Sequence, residues 1–322
     1  MQKQQQQQLK GSIAGMLSAA FYGCSPALAL SLYALNFDAA NALFYRYFGA
    51  LLLLIPLLVI KRESFLLPLK DLKVLAVPGI FFALSTLTYF ISFAYMNAGI
   101  SATIMFLYPV FTALIMVLVY HEKISLPIIL AIVLSFAGVL MLYQGDEINI
   151  SAIGCTLAVA SAVTYAIYIV GINRTHLIIS NDKLTLYLVL FSVLTTAIYM
   201  VLSPSAALKL PAQGREFLYI GLLALVPTIF SLELLNVAIN NIGSTATAVL
   251  GALEPVTAVA LAVIFFDDPL SFNLVVGIAL ILGGVLMVIA GSRFKARRAR
   301  ILVKRFNFII RKSVPKRWRW KS

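Results

Sequence analysis

Three ionisable side chains, Arg46, Glu233 and Glu254, lie inside apolar stretches that are each long enough to cross a membrane. A charge at the centre of a bilayer costs about 2.5–3.5 kcal/mol on insertion scales, so intramembrane charges usually mark functional sites. A guanidinium can bind a carboxylate or a phosphate through two parallel hydrogen bonds. A carboxylate can bind a cation or carry a proton. These three residues are therefore the first candidates for substrate binding.

Each of the three also has a structural explanation that the sequence leaves open. Arg46 can form an intramembrane ion pair or extend toward the headgroups. Glu254 can bond the backbone groups that Pro255 leaves unpaired. Glu233 shares one helical face with Asn236, and a polar stripe must face protein or water. We therefore interpret Glu233 and Asn236 as the strongest candidates for the wall of a cavity.

Tyrosine residues are a second group of candidates for lining a binding pocket, because the ring is apolar and the hydroxyl is polar. The candidates on neighbouring predicted helices are Tyr22, Tyr89, Tyr165 and Tyr168. Packing between helices and placement at the lipid interface are equally ordinary roles for tyrosine. Two prolines, Pro109 and Pro255, are candidate hinges because proline interrupts the hydrogen bonding of a helix.

The elements that must position these residues are transmembrane helices. The chain has 322 residues, of which 61% are hydrophobic and 11% are charged, which is too little polar surface for a soluble domain. A spanning helix needs about 20 apolar residues. Ten such runs occur, separated by short polar segments: 11–35, 39–60, 73–97, 100–120, 125–143, 150–172, 184–203, 216–240, 243–266 and 272–292. We predict an all-α membrane protein.

The distribution of lysine and arginine predicts the orientation of these spans. With the N-terminus in the cytoplasm, Lys61 and Lys183 lie inside, and only Lys209 and Arg215 remain outside. The tail, residues 293–322, is basic, contains no acidic residue and accounts for the net charge of +13. It suits an anionic lipid surface, or a disordered topology anchor, better than a nucleic acid. We expect a cell (inner or plasma) membrane protein with both termini cytoplasmic.

The sequence contains an internal repeat. Residues 102–145 align without gaps with residues 248–291. The starts of the halves agree as well: Gly11, Ser18, Ala19 and Tyr22 recur as Gly154, Ser161, Ala162 and Tyr165. We predict five-helix repeats at 11–145 and 150–292, flanked by a cytoplasmic segment at 1–10 and the basic tail. Since five is odd, the second repeat is inverted relative to the first, an arrangement typical of alternating-access transporters.

The repeated motifs resemble a known family. Tyr108-Pro109-Val110, Glu122 and Gly138-Val139-Leu140 recur as Glu254-Pro255-Val256, Asp268 and Gly284-Val285-Leu286, and Phe44-Tyr45-Arg46-Tyr47 lies in the second span. In these features the chain resembles an EamA-type member of the drug/metabolite transporter superfamily over roughly residues 11–292. The resemblance implies ten helices, a cavity lined by spans one, three, four, six, eight and nine, and efflux.

The sequence lacks the motifs of intramembrane hydrolases, metalloproteases and ATP-driven pumps, so we expect no catalytic residue, cofactor or metal. We predict a secondary transporter that moves an amino acid or a similar amphiphile outward, with membrane lipid and a coupling proton as partners. Two alternatives stay open. One is uptake or exchange of a nucleotide-like or phosphorylated solute bound by Arg46. The other is a membrane scaffold or sensor that acts through its basic tail.

Overall fold

The computed structural model of this chain is helical, and the residues that it describes contain no β-strand. These residues are 2–62, 64–121, 126–143, 151–175, 179–203, 206–242, 250–251, 253–267, 270–284 and 286–287. The basic tail, the start of the predicted ninth span and the side chain of Asn236 lie outside them.

The helices, in chain order, are α1 (Gln2–Gly23), α2 (Ser25–Tyr33), α3 (Ala39–Ile60), α4 (Leu69–Ser92), α5 (Ala98–Met105), α6 (Tyr108–Leu118), α7 (Leu126–Tyr143), α8 (Ala152–Thr175), α9 (Asn181–Leu202), α10 (Gly214–Ala224), a π-helical segment (Leu225–Phe230), α11 (Ser231–Ile242), α12 (Leu253–Phe266) and α13 (Phe272–Gly284). Helix α1 begins well before residue 11, so the predicted N-terminal segment continues the first helix.

Seven helical stretches in the described part of the chain are long and apolar enough to cross a membrane. They are Gln6–Tyr33, Ala39–Ile60, Leu69–Ser92, Ala98–Leu118, Ala152–Ile172, Asp182–Leu202 and Gly214–Leu235. The other predicted spans coincide with α7 and with the shorter helices α12 and α13. Large apolar side chains such as Ile60, Val201 and Leu202 are exposed on the outside of the bundle. Such a surface suits lipid rather than water.

Prolines account for the breaks inside three of these stretches. Pro26 lies in the first turn of α2 and Pro109 in the first turn of α6, directly after the helix before each one ends. Pro227 lies in the π-helical segment between α10 and α11. Proline has no backbone N–H and clashes with the preceding turn, so a continuous α-helix cannot pass through these points unchanged. The breaks occur near the middle of the spans, where the backbone becomes available to other groups.

Two helix pairs are held together by matching serine contacts. Between α1 and α11, Ser18 Oγ donates to the Ser231 carbonyl at 2.7 Å, and Ser231 Oγ donates to the Ser18 carbonyl at 3.0 Å. Between α4 and α8, Ser85 Oγ donates to the Ser161 carbonyl at 2.9 Å, and Ser161 Oγ donates back at 2.8 Å. Because the sequence repeat pairs Ser18 with Ser161, the same contact between the two halves occurs twice, with the roles of the halves exchanged.

The glycines that begin the two halves also lie in equivalent close contacts. A Cβ atom on Gly11 would lie 2.6 Å from the Asn241 Cβ atom, and one on Gly154 would lie 2.9 Å from the Met96 Cγ atom. Neither position has room for a side chain, so α1 packs on the end of α11 as α8 packs on the segment after α4. The backbone repeats in the same way. His121 and Asp267, which follow α6 and α12, both adopt left-handed conformations, with φ of 52° and 53°.

The largest apolar core packs α3 against α4, α5 and α9. Its fully buried side chains include Leu43, Tyr47, Leu54, Phe90 and Met105. A second cluster joins α5 and α8 to α12 and α13 around Ile104, Ala158 and Ile281. Both clusters connect helices of the first half with helices of the second half. The space between the halves is therefore bounded by packed side chains.

Candidate functional site

Five polar side chains lie within electrostatic reach of one another near the middle of the bundle, and we call the region between them the central chamber. They are Tyr22 of α1, Tyr108 of α6, Tyr165 and Tyr168 of α8, and Glu254 of α12. Tyr165 interacts electrostatically with the other four. Each residue lies deep in the protein, yet part of each remains accessible. Accessible surface at this depth faces an internal space, which is where small-molecule sites form between helices.

The rings of the chamber form a continuous aromatic surface along α8. The centroids of Tyr108 and Tyr165 are 4.8 Å apart in an edge-to-face arrangement, and those of Tyr165 and Tyr168 are 5.3 Å apart. Phe82 of α4 extends this surface, with its centroid 5.1 Å from that of Tyr168. These separations are typical of favourable aromatic pairs. One side of the chamber is therefore apolar, with tyrosine hydroxyls at its edges.

Glu254 is the acidic group of the chamber. It lies in the first turn of α12, directly before Pro255, where the helix dipole favours a negative charge. No hydrogen bond or ion pair joins its carboxylate to another described residue, and Arg46 acts on it only at a longer range. An ionised carboxylate without a partner is costly in an apolar interior. Glu254 therefore requires either a proton or a cation.

Arg46, the candidate on α3, is 2% exposed and is bonded to uncharged groups. Its Nη1 atom donates to Ser25 Oγ at 2.8 Å and its Nε atom to Thr228 Oγ1 at 3.0 Å, while Nη2 lies 3.5 Å from the Pro227 carbonyl oxygen. In the described part of the chain it forms no ion pair, and it does not extend to the headgroups. Neither structural explanation considered from the sequence fits this geometry, because the guanidinium ends among hydroxyls inside the bundle.

Three rings surround the Arg46 guanidinium. Its Cζ atom lies 5.3 Å from the ring centroid of Tyr47, 5.6 Å from that of Phe90 and 5.8 Å from that of Tyr22. Cation–π contacts of this kind stabilise a desolvated charge. The hydroxyl of Tyr47 is buried and has no hydrogen-bond partner among the described residues. An unpaired polar atom in a protein interior normally has a specific cause, and this one lies beside the chamber.

The sequence repeat pairs residues of the two halves around the chamber. The register that pairs Gly11 with Gly154 also pairs Tyr22 with Tyr165 and Ser25 with Tyr168. The register that pairs Pro109 with Pro255 also pairs Tyr108 with Glu254 and Phe82 with Thr228. Ser25, Arg46 and Thr228 thus form one side, which we call the arginine wall. The equivalent side, which we call the aromatic wall, consists of Phe82 and Tyr168.

A comparison with models of protein families finds one family that matches both halves of the chain. The model of the EamA-like transporter family matches twice, over residues 9–144 and over residues 152–290. The chain belongs to the EamA-like transporter family. Together with the seven long apolar helices, this makes it a multi-pass membrane protein.

Relatives of this EamA-family chain carry transporter names. An uncharacterized transporter of Synechocystis sp. is 28% identical over 199 residues, which is 60% of this chain and 59% of that protein. An uncharacterized transporter of Archaeoglobus fulgidus is 25% identical over 258 residues, 78% of this chain and 88% of that protein. A solved crystal structure superposes with a TM-score of 0.60 at 19% identity, covering 90% of this chain and 98% of the other. That last likeness shows the fold alone.

Charged residues hold the two ends of this EamA-family bundle. At what we call the Lys61 end, Lys61 Nζ lies 2.7 Å from Asp182 Oδ2 and joins the end of α3 to the start of α9. Asp182 is also within hydrogen-bonding reach of Glu233 on α11. Two carboxylates this close share a proton or a cation, and Lys61 supplies the positive charge here.

At the opposite end, the Lys209 end, one lysine joins both halves. Lys209 Nζ lies 3.6 Å from Glu216 Oε1, donates to the Leu35 carbonyl and lies 4.4 Å from the ring centroid of Phe37. The side chain of Asn41 accepts from the Lys209 backbone N–H at 2.9 Å. Each end of the bundle is therefore bridged by contacts between the two halves.

The residues predicted from the sequence fall in two places. Tyr22, Tyr165, Tyr168 and Glu254 line the central chamber, Arg46 lies beside it, and Tyr89, which is 2% exposed, stands behind it within electrostatic reach of Glu254. Glu233 is not among them, since it lies at the Lys61 end. The candidate hinges Pro109 and Pro255 both lie in the first turn of a helix, beside Tyr108 and Glu254.

Sequence reasoning missed several residues of the site. Tyr108 lines the chamber, Phe82 extends its aromatic surface, and Asp182 bonds Lys61. The signal for Tyr108 was present, because the repeat alignment pairs it with Glu254. No comparable signal pointed to Ser25 or Thr228, whose hydroxyls are remote from Arg46 in the sequence.

A second concavity lies on the outside of the bundle between α2, α10 and α12. Its volume is about 630 Å³, and its lining includes Cys24, Ser31, Arg215, Tyr219 and Phe265. Most of this lining is apolar, and neither Arg46 nor Glu254 contributes to it. A groove of this kind on the side of a membrane bundle suits a lipid chain. The central chamber is the better candidate site, because it holds the buried charges.

Proposed function

We propose that this chain is a secondary transporter that carries a small amphiphilic metabolite, such as an amino acid, across the membrane by alternating access. The observation that carries the proposal is that both halves of the molecule contribute equivalent positions to one central chamber. Tyr22 and Tyr165 form one such pair, and Tyr108 and Glu254 form the other. A site between two related bundles can open to either side when one bundle moves against the other.

The proposed architecture is ten transmembrane helices in two inverted repeats, residues 11–145 and 150–292. The two matches of one family model support this division. The serine contacts that occur twice between the halves, and the close-packed glycines and left-handed residues that recur in each half, support it as well. Five helices in each half would give the halves opposite orientations in the membrane.

Opening the chamber requires the contacts at one end to separate. At the Lys61 end, the ion pair between Lys61 and Asp182 joins α3 of the first half to α9 of the second. At the Lys209 end, the bonds from Lys209 to Leu35 and Asn41 join the same two halves. We propose that these sets break alternately, with Pro109 and Pro255 as bending points.

Orientation and direction are further parts of the proposal. The lysines of the Lys61 end are more numerous than those of the Lys209 end, which supports a cytoplasmic Lys61 end and cytoplasmic termini in the cell membrane. Efflux follows from the resemblance to exporting members of the family. A proton on Glu254 would remove the cost of an empty, charged chamber, so Glu254 is the proposed carrier of a coupling proton.

The rival solute from the sequence is a nucleotide-like or phosphorylated compound bound by Arg46. The hydrogen bonds from Arg46 to Ser25 and Thr228 count against it, because two of the guanidinium's nitrogens are already engaged. A signalling scaffold would depend on the basic tail, residues 293–322, whereas a transporter would not.

The direct test is solute flux in liposomes that contain the purified protein. Metabolite levels in cells with and without the protein select the candidate solutes, and radiolabelled candidates are then followed with and without an imposed proton gradient. We expect saturable flux that is retained when residues 293–322 are deleted. If no solute moves under any gradient, the transporter proposal is wrong. A change in cellular metabolite levels that requires residues 293–322, without any flux in liposomes, would favour the scaffold.

A further inference from the structure

We propose that the central chamber is an ammonium-binding site, in which Glu254 balances the positive charge and the surrounding tyrosines contact the cation. This inference rests on the proposed function and deepens it. It assigns the transported solute to compact, largely apolar amines, and it makes the ammonium group, rather than a carboxylate or phosphate, the feature that the protein recognises.

The first argument is the unpaired state of Glu254. The residue is partly accessible, and its carboxylate has no hydrogen-bond or ion-pair partner in the part of the chain that the structure describes. A carboxylate accepts hydrogen bonds at two oxygens, and an ammonium group has three N–H donors. An ammonium group can therefore supply the hydrogen-bond donors and the positive charge that the Glu254 carboxylate lacks.

The second argument is the tyrosines. In the described residues, the hydroxyls of Tyr22, Tyr108, Tyr165 and Tyr168 form no hydrogen bond, so each can accept one from a ligand. Their rings offer negative faces, and aromatic groups around a carboxylate form the kind of cage that binds organic cations. The buried Tyr89 interacts electrostatically with Glu254 as well.

The third argument is that the positive charge near the chamber is already engaged. Arg46 donates to Ser25 and Thr228 and lies among three rings, so binding an anion would break bonds that the protein has formed. Glu254 binds a cation without breaking any bond among the described residues. Binding of a cation therefore disturbs fewer of the protein's own contacts than binding of an anion.

The fourth argument concerns the rest of the ligand. Phe82, Tyr165 and Tyr168 form a joined ring surface at the chamber, with neighbouring centroids 5.1 to 6.3 Å apart. A flat or branched apolar group packs on such a surface, while a sugar or a phosphate leaves its polar atoms without partners. A primary amine with an apolar body therefore suits both Glu254, through its ammonium group, and the ring surface, through its apolar part.

Three matched probes separate these alternatives in binding measurements on the purified full-length protein in detergent. 2-Phenylethylamine carries only the ammonium group, L-phenylalanine carries both charges, and 3-phenylpropionate carries only the carboxylate. We expect the first two to bind with dissociation constants within about tenfold of each other and the third at least about 100-fold more weakly, since a charged hydrogen bond contributes about 1.5–3 kcal/mol.

The variant Glu254→Gln should weaken 2-phenylethylamine binding by about 100-fold, because the amide keeps the shape and removes the charge. Asp71→Asn is the matched control: it makes the same carboxyl-to-amide change in the first turn of α4, outside the chamber, and should bind as the parent does. If Glu254→Gln unfolds, Tyr108→Phe removes only one hydroxyl and should weaken amine binding by about five- to tenfold.

The ammonium proposal is overturned if 3-phenylpropionate binds as tightly as the amine, or if Glu254→Gln is folded and binds the amine like the parent. It is also overturned if none of the probes binds while the reconstituted protein transports another solute. In that last case the transporter proposal survives. Conversely, Glu254-dependent amine binding without flux of any solute would support the site and contradict the transporter.

Discussion

On one side of the central chamber Arg46 donates to Ser25 and Thr228, whereas the equivalent positions on the other side hold the rings of Tyr168 and Phe82. Helix α9, the counterpart of α3, has no charged residue after Lys183. The same framework therefore carries a positive, hydroxyl-rich wall at one set of positions and an apolar wall at the equivalent set, and each wall contains residues from both halves. Duplication explains the framework, and later divergence explains the chemistry.

The difference has a consequence for ligand orientation. A fully symmetric chamber would bind a solute equally well in two orientations. Here Glu254 stands where the other half has Tyr108, so in the proposed ammonium site the only carboxylate that the structure describes in the chamber would set the position of the cation. In the proposed transporter, the symmetric frame would allow opening to both sides, while the asymmetric side chains would select and orient the solute.

The largest effect should come from removing the charge of the arginine wall. The glutamine of Arg46→Gln cannot donate to Ser25 and Thr228 at the same time. It therefore leaves a buried hydroxyl without its donor, which should lower the free energy of unfolding by about 2–4 kcal/mol. We expect a clearly lower thermal unfolding midpoint in detergent and loss of flux. Phe82→Leu on the aromatic wall keeps an apolar contact and should cost less. Equal shifts for the two variants would remove the distinction between the walls.

A swap tests whether the two sides share one frame. In the double variant Tyr108→Glu with Glu254→Tyr, the carboxylate moves to the equivalent position of the other half. We expect 2-phenylethylamine to bind within about tenfold of the parent, because the cage of rings is retained. The single variant Glu254→Tyr is the control and should bind poorly. A double variant no better than the single one would show that the positions are not equivalent.

A smaller effect should follow from Thr228→Val, which keeps the shape of the side chain and removes the acceptor of the Arg46 Nε–H. One lost hydrogen bond to a charged group should cost about 1.5–3 kcal/mol. Thr88→Val is the comparison, since its hydroxyl bonds only backbone carbonyls of its own helix. Thermal unfolding of both proteins measures the difference, and equal midpoints would mean that Arg46 finds another partner.

The smallest effects should be alike in the two halves. Ser85→Ala and Ser231→Ala each remove one reciprocal serine contact between helices, worth about 0.6–1.7 kcal/mol in membrane proteins. We expect closely similar shifts of the thermal midpoint for the two variants. A large effect from one serine alone would contradict the equivalence of the α4–α8 and α1–α11 contacts.

Much of this arrangement was readable from the sequence, and the reasons for success and failure are physical. The hydropathy of the spans predicts the helices, and the recurrence of Gly11 and Ser18 as Gly154 and Ser161 predicts two related halves, since both signals depend on local composition and spacing. The same spacing pairs Tyr22 with Tyr165, and both residues lie at the chamber.

The partners of the charged residues were not readable, because they depend on tertiary packing. Arg46 donates a hydrogen bond to Thr228, which is distant in the sequence. Thr228 lies in a π-helical segment, and the periodicity of apolar residues does not predict such a segment. Glu233 was preferred over Glu254 because it belongs to a polar stripe, but the stripe places it near Lys61 and Asp182 at one end of the bundle. Its part in substrate binding stays a prediction without support from this geometry.

Accessibility of the chamber from the two sides of the membrane tests the central claim most directly. In a background with Cys24→Ser and Cys155→Ser, the variant Tyr22→Cys places a single thiol in the chamber, and a membrane-impermeant thiol reagent is applied from one side and then from the other. Alternating access predicts labelling from both sides, and the ammonium site predicts that 2-phenylethylamine slows it. Labelling from one side only, whatever ligand is present, would contradict the account.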